Sequence, residues 1–527
     1  MSRFMQRGLN SLQRKTDPFG VAIILAAIVM AAPVWCVSAP PMPDYPAHLA
    51  SYHLIATGAS SPAVSSFYRI EWAFLPNLAG EIIVPLLSHV FGLEVAAKLF
   101  VTAGITMWIV GPALIHRALY GSVGVAPLLA SFFAYNANLT WGFLNYYFAM
   151  GLTFLVVAAW IATDRRRNML YSLGFTIAVT AVYFSHLFAV ATLLLLLGFY
   201  EVGGFLQEPS AKKAIRQFAE LAVAFVPSAM AYIFLKPAGG EASVAFNLLD
   251  RMIDRLEAML QLTYDNPSFV LLAMLMLLLI AGLWRGWIVL HRRMLGPLAV
   301  LGLAAVFAPE WAMGGWGVDL RLPAVLGALL FASCEFQLDQ RKITVLATAS
   351  CVVIASNAAI LAKDWRTTGA QYDEFREVVR SLPPGTKLLT VLDGDAIGYR
   401  SDQPYWHMAE FAIIDPGAFT PLLFTTRNQH VVRLAPAYQS IAAASAEQGS
   451  PPDIDELSDL AAGQVDQDED IANVFPYLMR FQCHYDKAVV IHLGGPRSAI
   501  PAMLKLRHAG SVFSIYDIIP DAACGRT

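Results

Sequence analysis

The feature that most constrains this chain is a series of apolar segments, each about as long as a membrane-spanning helix. A helix needs about 20 mostly apolar residues to cross a bilayer, and the first 363 residues contain about eleven such segments. Only 14% of the residues are charged, whereas a soluble domain has roughly 25%, so an ordinary soluble enzyme is excluded. The sequence predicts a mainly α, polytopic membrane helix bundle. The predicted spans are residues 18–38, 96–115, 122–138, 145–163, 170–186, 187–205, 217–235, 268–284, 294–309, 323–338 and 343–362.

Basic residues between these spans indicate the orientation of the bundle. Short loops rich in Lys and Arg stay in the cytoplasm. With a cytoplasmic N-terminus, 16 of the 23 Lys and Arg residues before residue 364 fall on the cytoplasmic side. An odd number of spans then places the C-terminus outside. The residues predicted on the cytoplasmic side are Arg3, Arg7, Arg14, Lys15, Arg117, Arg165, Arg166, Arg167, Lys212, Lys213, Arg216, Arg285, Arg292, Arg293, Arg341 and Lys342.

The chain divides into two domains of different composition. Residues 1–363 form the transmembrane domain, with a first external loop at 39–95, and residues 364–527 hold 13 Lys and Arg against 21 Asp and Glu. This acidic part is long enough for a core of its own, and we expect an extracytoplasmic α/β domain. Its predicted elements are strands at 388–392, 431–434, 488–492 and 512–519, helices at 370–382 and 498–508, and a mobile loop at 441–470.

One apolar segment, residues 78–92, is too short to be counted as a twelfth span. It contains Glu81, Pro85 and His89, and counting it would place the later basic clusters outside. We expect a helix that lies in the outer interface or enters the membrane without crossing it.

Cysteine usage permits one disulfide and indicates no structural metal site, and the net charge excludes nucleic acid as a partner. Cys483 and Cys524 share the external domain, where an oxidising environment permits a disulfide. The sequence has no Cys-x-x-Cys motif and no His cluster, so no structural metal site is predicted. A net charge of -3 leaves no basic excess for nucleic acid.

The most pointed candidate for chemistry follows the first span, in the run Asp44-Tyr45-Pro46-Ala47-His48. Pro46 is suited to the first turn of a helix, and in such a helix Asp44, His48 and Tyr52 share one face. A carboxylate beside an imidazole is able to take a proton from a hydroxyl group. The alternative is structural, with Asp44 capping the helix and His48 lying at the membrane interface.

This run and the arrangement around it resemble the GT-C superfamily of membrane glycosyltransferases. The resemblance covers the architecture of the whole chain. Within the superfamily, the chain is distantly similar to protein mannosyltransferases and aminoarabinose transferases. It implies a bacterial inner-membrane enzyme that transfers a sugar from a polyprenyl-phosphate donor to an extracytoplasmic lipid, glycan or protein, with Asp44 as general base and a divalent metal left open. Those families commonly carry an adjacent acidic pair, whereas Tyr45 follows Asp44 here, so a second acid has to come from Glu71 or Glu81.

A lipid-phosphate leaving group needs cationic or hydrogen-bonding partners near the outer interface. Arg69, Lys98 and Arg321 are candidates by predicted height, and Arg321 ends a Gly-rich loop, 311–321, that contains Trp316 and Asp319. The alternative for this loop is an aromatic belt with a surface pair between Asp319 and Arg321.

Four further residues are candidates for the walls of an external cavity. His186 lies at the outer junction of two spans, and the loop between the third and fourth spans carries polar and aromatic side chains. A structural role at a helix end or in a satisfied loop is the alternative for each. The loop residues are Asn138, Trp141 and Asn145.

In the external domain, Asp393-Gly394-Asp395 is interpreted as a turn after a strand, and Tyr405-Trp406-His407 as a candidate glycan contact.

Two other functions are compatible with the sequence. A transporter or flippase for a lipid-linked sugar would also span the membrane, but coupled carriers place ionisable residues near the midplane, and these spans contain almost none. A non-catalytic scaffold would use only the external domain.

Overall fold

The computed structural model describes residues 18–163, 169–235, 244–264, 266–313, 315–396, 401–427, 429–443, 449–462, 475–494, 497–522 and 524. Several residues singled out above lie outside these ranges, namely residues 3, 7, 14, 15 and 165–167 of the predicted cytoplasmic side and Gly314 of the 311–321 loop.

The described residues form nineteen α-helices and twelve short strands. The helices are α1 Pro18–Trp35, α2 Tyr45–Thr57, α3 Pro62–Phe67, α4 Ala79–Phe91, α5 Leu93–Tyr120, α6 Ala126–Ala130, α7 Ala137–Trp141, α8 Leu144–Ala162, α9 Met169–Ser185, α10 Leu187–Gln207, α11 Ala211–Met230, α12 Met252–Met259, α13 Phe269–Trp284, α14 Leu295–Phe307, α15 Val318–Ala332, α16 Gln340–Val379, α17 Phe411–Ile414, α18 Ile454–Ala462 and α19 Phe481–His484. The strands are β1 Tyr68–Ile70, β2 Val244–Ala245, β3 Gln261–Thr263, β4 Asn266–Pro267, β5 Ile288–Leu290, β6 Trp311–Ala312, β7 Cys334–Phe336, β8 Leu388–Leu392, β9 Val432–Leu434, β10 Lys487–Ile491, β11 Leu504–Ala509 and β12 Phe513–Ile518.

The membrane part is a helix bundle, as the apolar segments predict. Six helices among the described residues are long and apolar enough to cross a membrane: α1, α5, α8, α10, α11 with the π turn that follows it, and α16. Ten of the eleven predicted spans each coincide with one helix. Helix α4, within the 78–92 segment, has only 13 residues, too few to cross a bilayer.

The third predicted span, 122–138, is not a continuous helix, and that expectation was wrong. It is divided into α6, a 3-10 turn at Ser131–Ala134, and α7. The break comes at Asn136, whose side chain accepts a hydrogen bond from the backbone N–H of Asn138 and so caps a new helix. Residues 125–139 are all buried in the bundle, and irregular backbone at membrane depth is tolerated only in such a place.

The broken segment nevertheless carries the chain back along the bundle. Gly104 of α5 packs against Tyr147 of α8, and Gly111 packs against Phe154. From the first contact to the second, the residue number rises by seven in both helices, so α5 and α8 run parallel. The segment between them must therefore return from the end of α5 to the start of α8. The chain crosses the bundle here through short pieces instead of one helix.

The part of the chain predicted as an external domain, called the external domain below, lies at the same end of the bundle as the predicted first external loop. Ser38, just after α1, donates a hydrogen bond to Asp373 of α16, and the guanidinium of Arg366 contacts the sulfur of Cys36. Helix α16 has 40 residues and runs without interruption through the predicted domain boundary at 363/364. Strand β1 of the first loop pairs antiparallel with β9, so loop and domain are joined by a small sheet.

The core of the external domain is a four-stranded sheet in the order β11-β12-β10-β8. Strands β8 and β10 are parallel, whereas β12 is antiparallel to both β10 and β11. The predicted helix at 498–508 is wrong, because residues 504–509 form the edge strand β11, held by backbone pairing with β12. The predicted loop at 441–470 contains helix α18, and its residues 444–448 and 463–470 lie outside the described residues.

A disulfide joins Cys483 of α19 to Cys524 near the C-terminus and closes a loop with a sequence separation of 41 residues. Closing a loop of that length removes conformational entropy from the unfolded chain, worth about 4 kcal/mol.

We expect Cys483→Ser to lower the thermal unfolding midpoint of the external domain. The measurement is a melting curve under non-reducing conditions, and dithiothreitol should lower the wild-type midpoint towards that of the variant. Cys351→Ser, which changes an exposed free cysteine, is the control and should leave the midpoint unchanged. An equal midpoint for wild type and Cys483→Ser would contradict the stabilising role.

Candidate functional site

A cavity of about 750 Å³ lies between the end of the bundle and the external domain. This volume is in the range of small-molecule sites. Its walls come from three parts of the chain: the bundle, the 244–264 loop and the external domain. The bundle contributes Asp44, His48, Trp141, Asn145, Tyr146, His186, Trp316 and Arg321; the 244–264 loop contributes Arg251, Asp254, Glu257 and Tyr264; and the external domain contributes Trp406, His407, Phe424 and His430.

Asp44 precedes α2 but does not cap it, which argues against the structural alternative for this residue. Its side chain makes no capping hydrogen bond, and its carboxylate has no hydrogen-bond partner among the described residues. The backbone fixes its place, because the Asp44 N–H donates to the carbonyl of Trp141 at 3.1 Å. Asp44 therefore presents a free carboxylate to the cavity.

Gly142 is the neighbour that makes this placement possible. It has a φ of +86°, and a Cβ atom there would lie 3.2 Å from the Cβ of Asp44 and 3.2 Å from that of Met42. A positive φ and a close approach both favour glycine, so the turn after α7 is shaped around Asp44.

The pKa of Asp44 is raised from 3.8 to about 6. Burial is the main cause, because a low-polarity environment disfavours the charged carboxylate. The positive charges of His407 and Arg321 act in the opposite direction. Asp44 is therefore a stronger base than an exposed aspartate and is still mostly ionised at neutral pH.

His407 supplies one of these charges from the external domain. Its burial acts to lower the pKa, but a hydrogen bond to Glu410 and the charges of Glu410 and Asp44 outweigh it, and the pKa is raised above 6.5. The Nδ1 of His407 lies 3.5 Å from the Oε1 of Glu410, which is fully buried. The external domain thus contributes a protonatable ring, supported by a buried carboxylate, to the cavity that Asp44 lines.

His48 lines the same cavity as Asp44, but it is held among aromatic rings. Its imidazole stacks on Tyr52 and meets Phe424 edge-on, with ring centroids 5.9 and 5.3 Å away. Burial lowers its pKa to about 4, so the ring is neutral at physiological pH. Its Nδ1 is buried without a hydrogen-bond partner. His48 is thus suited to hydrogen bonding rather than to holding an anion by charge.

Arg321, at the start of α15, is a buried cation without a carboxylate partner among the described residues. Its guanidinium lies 5.2 Å from the ring centroids of Phe143 and Phe188 and 5.5 Å from that of Tyr146, and it donates to the carbonyl of Trp316 at 3.1 Å. Its Nε has no hydrogen-bond partner. A charge in this position is stabilised by aromatic faces and is available to an anion in the cavity.

Asp319 is not paired with Arg321, contrary to the surface-pair alternative. It is fully buried and accepts from the Nε of Arg251 at 2.7 Å and from the Nε of Arg255 at 3.3 Å. These pairs fasten the 244–264 loop to the start of α15. Asp319 is not among the residues that line the cavity, and its observed contacts are structural.

His186 and Trp316 both face the cavity. His186 caps α10 by accepting a hydrogen bond from the N–H of Phe188 on its Nδ1, and its Nε2 lies 3.4 Å from a terminal nitrogen of Arg321. Trp316 meets Trp141 edge-on at 4.7 Å between centroids, and Trp141 meets Trp406 at 6.0 Å. Three indole rings from separate parts of the chain therefore surround one space.

Arg69 and Lys98 are not brought to the cavity. Arg69 lies exposed in β1, opposite Arg433 of β9, and the ammonium of Lys98 donates to the carbonyl of Val37. Neither side chain is among those that line the cavity.

The two acids proposed as partners for Asp44 also lie outside the cavity lining. Glu81 is buried and accepts a hydrogen bond from Asn145 at 2.8 Å, whereas Glu71 is exposed beside Arg433. Among the described residues no group of three or more His, Cys, Asp or Glu side chains is arranged to hold a metal ion.

Several residues of the cavity were not found from the sequence as parts of one site. Arg251, Tyr264 and His430 are distant in sequence from Asp44, and His407 was singled out only as part of a glycan-contact stretch. The Trp406-His407 pair beside a short helical turn was the one local signal available for the external wall.

Comparison with known proteins gives a likeness to solved structures only, since no family model and no curated protein matches the sequence. The chain is similar to ArnT from Cupriavidus metallidurans bound to undecaprenyl phosphate, with 12% identity, a TM-score of 0.48 and coverage of 95% of this chain and 98% of that one. It is similar to the apo state of the same protein with the same identity and coverage and a TM-score of 0.49. At this identity and TM-score, the likeness is one of overall architecture and assigns no residue and no activity.

Proposed function

We propose that this protein is an integral membrane glycosyltransferase that transfers a sugar from a polyprenyl-phosphate donor to an extracytoplasmic lipid, glycan or protein, with Asp44 as general base. The observation that carries this proposal is that a carboxylate and a guanidinium, groups of opposite charge, line the same cavity. Both Asp44 and Arg321 line it, and among the described residues the carboxylate has no hydrogen-bond partner and the guanidinium no carboxylate partner. Such a pair is suited to a hydroxyl and a phosphate respectively.

The chemistry assigned to Asp44 follows from its pKa and its accessibility. The acceptor hydroxyl attacks the anomeric carbon, its proton passes to the Asp44 carboxylate, and the bond between the sugar and the lipid phosphate breaks. A base is most effective when its pKa lies near the working pH, and the pKa of Asp44 is about 6. Inversion at the anomeric carbon is what the resemblance to GT-C enzymes implies.

The charge that develops on the departing phosphate requires donors close by. Three helices begin at the cavity: α8 near Asn145, α10 at His186 and α15 near Arg321. Helix N-termini carry partial positive charge and free N–H groups. Together with the guanidinium of Arg321 they favour an anion at this end of the bundle.

The tautomer of His186 gives an independent reason to expect that anion. Because Nδ1 accepts from the Phe188 N–H, a neutral His186 carries its proton on Nε2. That nitrogen lies 3.4 Å from an N–H group of Arg321, so two donors face each other. A phosphate oxygen placed alongside the two nitrogens would accept from both.

The sugar is assigned to the aromatic part of the cavity. Trp141, Trp316 and Trp406 present large, mostly rigid faces around one space, and Tyr264 is fixed there by a hydrogen bond from its hydroxyl to the carbonyl of Thr140.

The loop charges favour an N-terminus in the cytoplasm and a cavity on the outer side of the membrane.

The first prediction for this function concerns Asp44→Asn. Loss of a general base typically lowers a rate by about 10² to 10⁴-fold, and we expect a loss of that size. The measurement compares cell-envelope lipids and glycans of a deletion strain complemented with wild type or variant by mass spectrometry, followed by transfer from the identified donor in vitro. Asp254→Asn changes a half-exposed acid of the same cavity and should retain most activity. Full activity of Asp44→Asn would remove the assignment, and lipid movement without a new glycosidic bond would indicate a flippase.

A second prediction concerns pH. Because the base must be deprotonated, kcat/KM should fall about tenfold per pH unit below pH 6, the approximate pKa of Asp44. The charge on His407 lowers the pKa of Asp44, so His407→Gln should move this acidic limb to higher pH. The measurement is the pH dependence of kcat/KM for both proteins. An unchanged limb in a folded, active His407→Gln variant would contradict the coupling.

A third prediction concerns Gly142→Ala, which removes no polar group. The added methyl requires a strained φ and contacts the Cβ of Asp44 at 3.2 Å, so it should displace the carboxylate and lower kcat more than tenfold. Gly286→Ala is the matched control, because Gly286 also has a positive φ, +69°, but no atom within 4 Å of an added Cβ. Equal activities for the two variants would show that only backbone strain matters.

A further inference from the structure

A second cavity, of about 990 Å³, lies at the opposite end of the bundle. Its walls are the last turns of α5 and α8, Tyr200 of α10 and the turn at His291 to Arg293. Lys98 lies beside the external end of α1, and Arg117 follows it by 19 residues on the same helix, which is about 28 Å along the axis. This distance is close to the thickness of the hydrocarbon core, about 30 Å. The second cavity is therefore separate from the Asp44 cavity.

The cavity lies beside the last turns of two closely packed helices. Helices α5 and α8 are in tight contact at Gly111 and Phe154, and Pro112 follows directly inside α5. Beyond it, Leu114 of α5 and Leu155 of α8 line the same cavity. The part of the cavity wall that α5 and α8 contribute here is therefore aliphatic.

The polar side of the cavity is cationic. Arg117, His291 and Arg293 line it, and no Asp or Glu of the described residues does. Arg293 is held in place by the buried carboxylate of Glu201 at 3.2 Å and lies over the ring of Tyr200, with its guanidinium carbon 4.0 Å from the centroid. Arg117 is exposed at the rim and has no ion pair among the described residues.

A cavity with aliphatic walls and arginine at its rim matches one end of a phospholipid. The walls suit an acyl chain, and the guanidinium groups suit a phosphate. The loop charges place this end of the bundle in the cytoplasm, where anionic lipids give the membrane surface a negative potential. The membrane therefore supplies the ligand whose chemistry the cavity fits.

We propose that this second cavity binds an anionic phospholipid of the cytoplasmic leaflet. The lipid phosphate contacts Arg117 at the rim and Arg293 inside it, and one acyl chain lies against Leu114, Leu155 and Ala159. The lipid thereby lies against the last turns of α5 and α8. This site is independent of the proposed transferase reaction, since it shares no residue with the Asp44 cavity.

Native mass spectrometry tests this site on the purified full-length protein, with phosphatidylglycerol, phosphatidylcholine and inorganic phosphate as probes. Wild type should retain phosphatidylglycerol in preference to phosphatidylcholine, and a tenfold excess of inorganic phosphate over the lipid should not displace it. Arg117→Gln should weaken phosphatidylglycerol binding about fivefold, the effect expected for one basic residue near a charged membrane surface. Displacement by inorganic phosphate would mean a site for free anions and would overturn the proposal.

Two further variants separate a cavity from general surface charge. Ala159→Leu adds bulk to the aliphatic wall without changing charge and should also weaken phosphatidylglycerol binding. Arg341→Gln removes an exposed arginine from the same end of the bundle, outside the cavity, and should have no effect. Equal losses in Arg117→Gln and Arg341→Gln, or unchanged binding in Ala159→Leu, would show that no defined site exists. Circular dichroism spectra that match the wild type would show that the variants are folded.

Discussion

The parallel packing of α5 against α8 is the constraint on which the site depends. Glycines at 104 and 111 let the two helices approach closely, and because both run in the same direction, the chain has to return between them. The returning segment ends at Trp141 and Gly142. The carbonyl of Trp141 accepts a hydrogen bond from the backbone N–H of Asp44. The parallel packing of α5 and α8 thus fixes the position of the Asp44 carboxylate in the loop after the first span.

The cavity derives its chemistry from charges contributed by different parts of the chain. Asp44 follows α1, Arg321 begins α15, and His407 belongs to the external domain. Burial raises the pKa of Asp44, while the two cationic groups limit that increase. None of these three side chains is in a salt bridge with another, so the space between them is open to a substrate.

The sequence carried enough information for the bundle and for the local part of the site. Apolar length predicted ten helices, and the position of Asp44 after the first span, with Pro46 in the following turn, predicted the short helix and its acid. The broken segment at 122–138 was not predicted, because apolar content does not show where Asn136 will cap a new helix. The strand at 504–509 was missed because its conformation is set by pairing with β12. Asp44 and His407 line one cavity because of how two distant segments pack, and no local pattern contains that information.

Helix α16 limits how the outer site is able to open. It has 40 residues, about 60 Å of continuous helix, and joins the membrane bundle to the external domain without a flexible linker. The external domain is also tied to the first loop by the β1–β9 pair, so it is anchored at two points and is not free to swing as a lid. The 244–264 segment is fastened as well, by the β2–β6 pair, by the Arg251 and Arg255 contacts with Asp319 and by the hydrogen bond from Tyr264 to Thr140, so neither wall outside the bundle is a freely hinged flap.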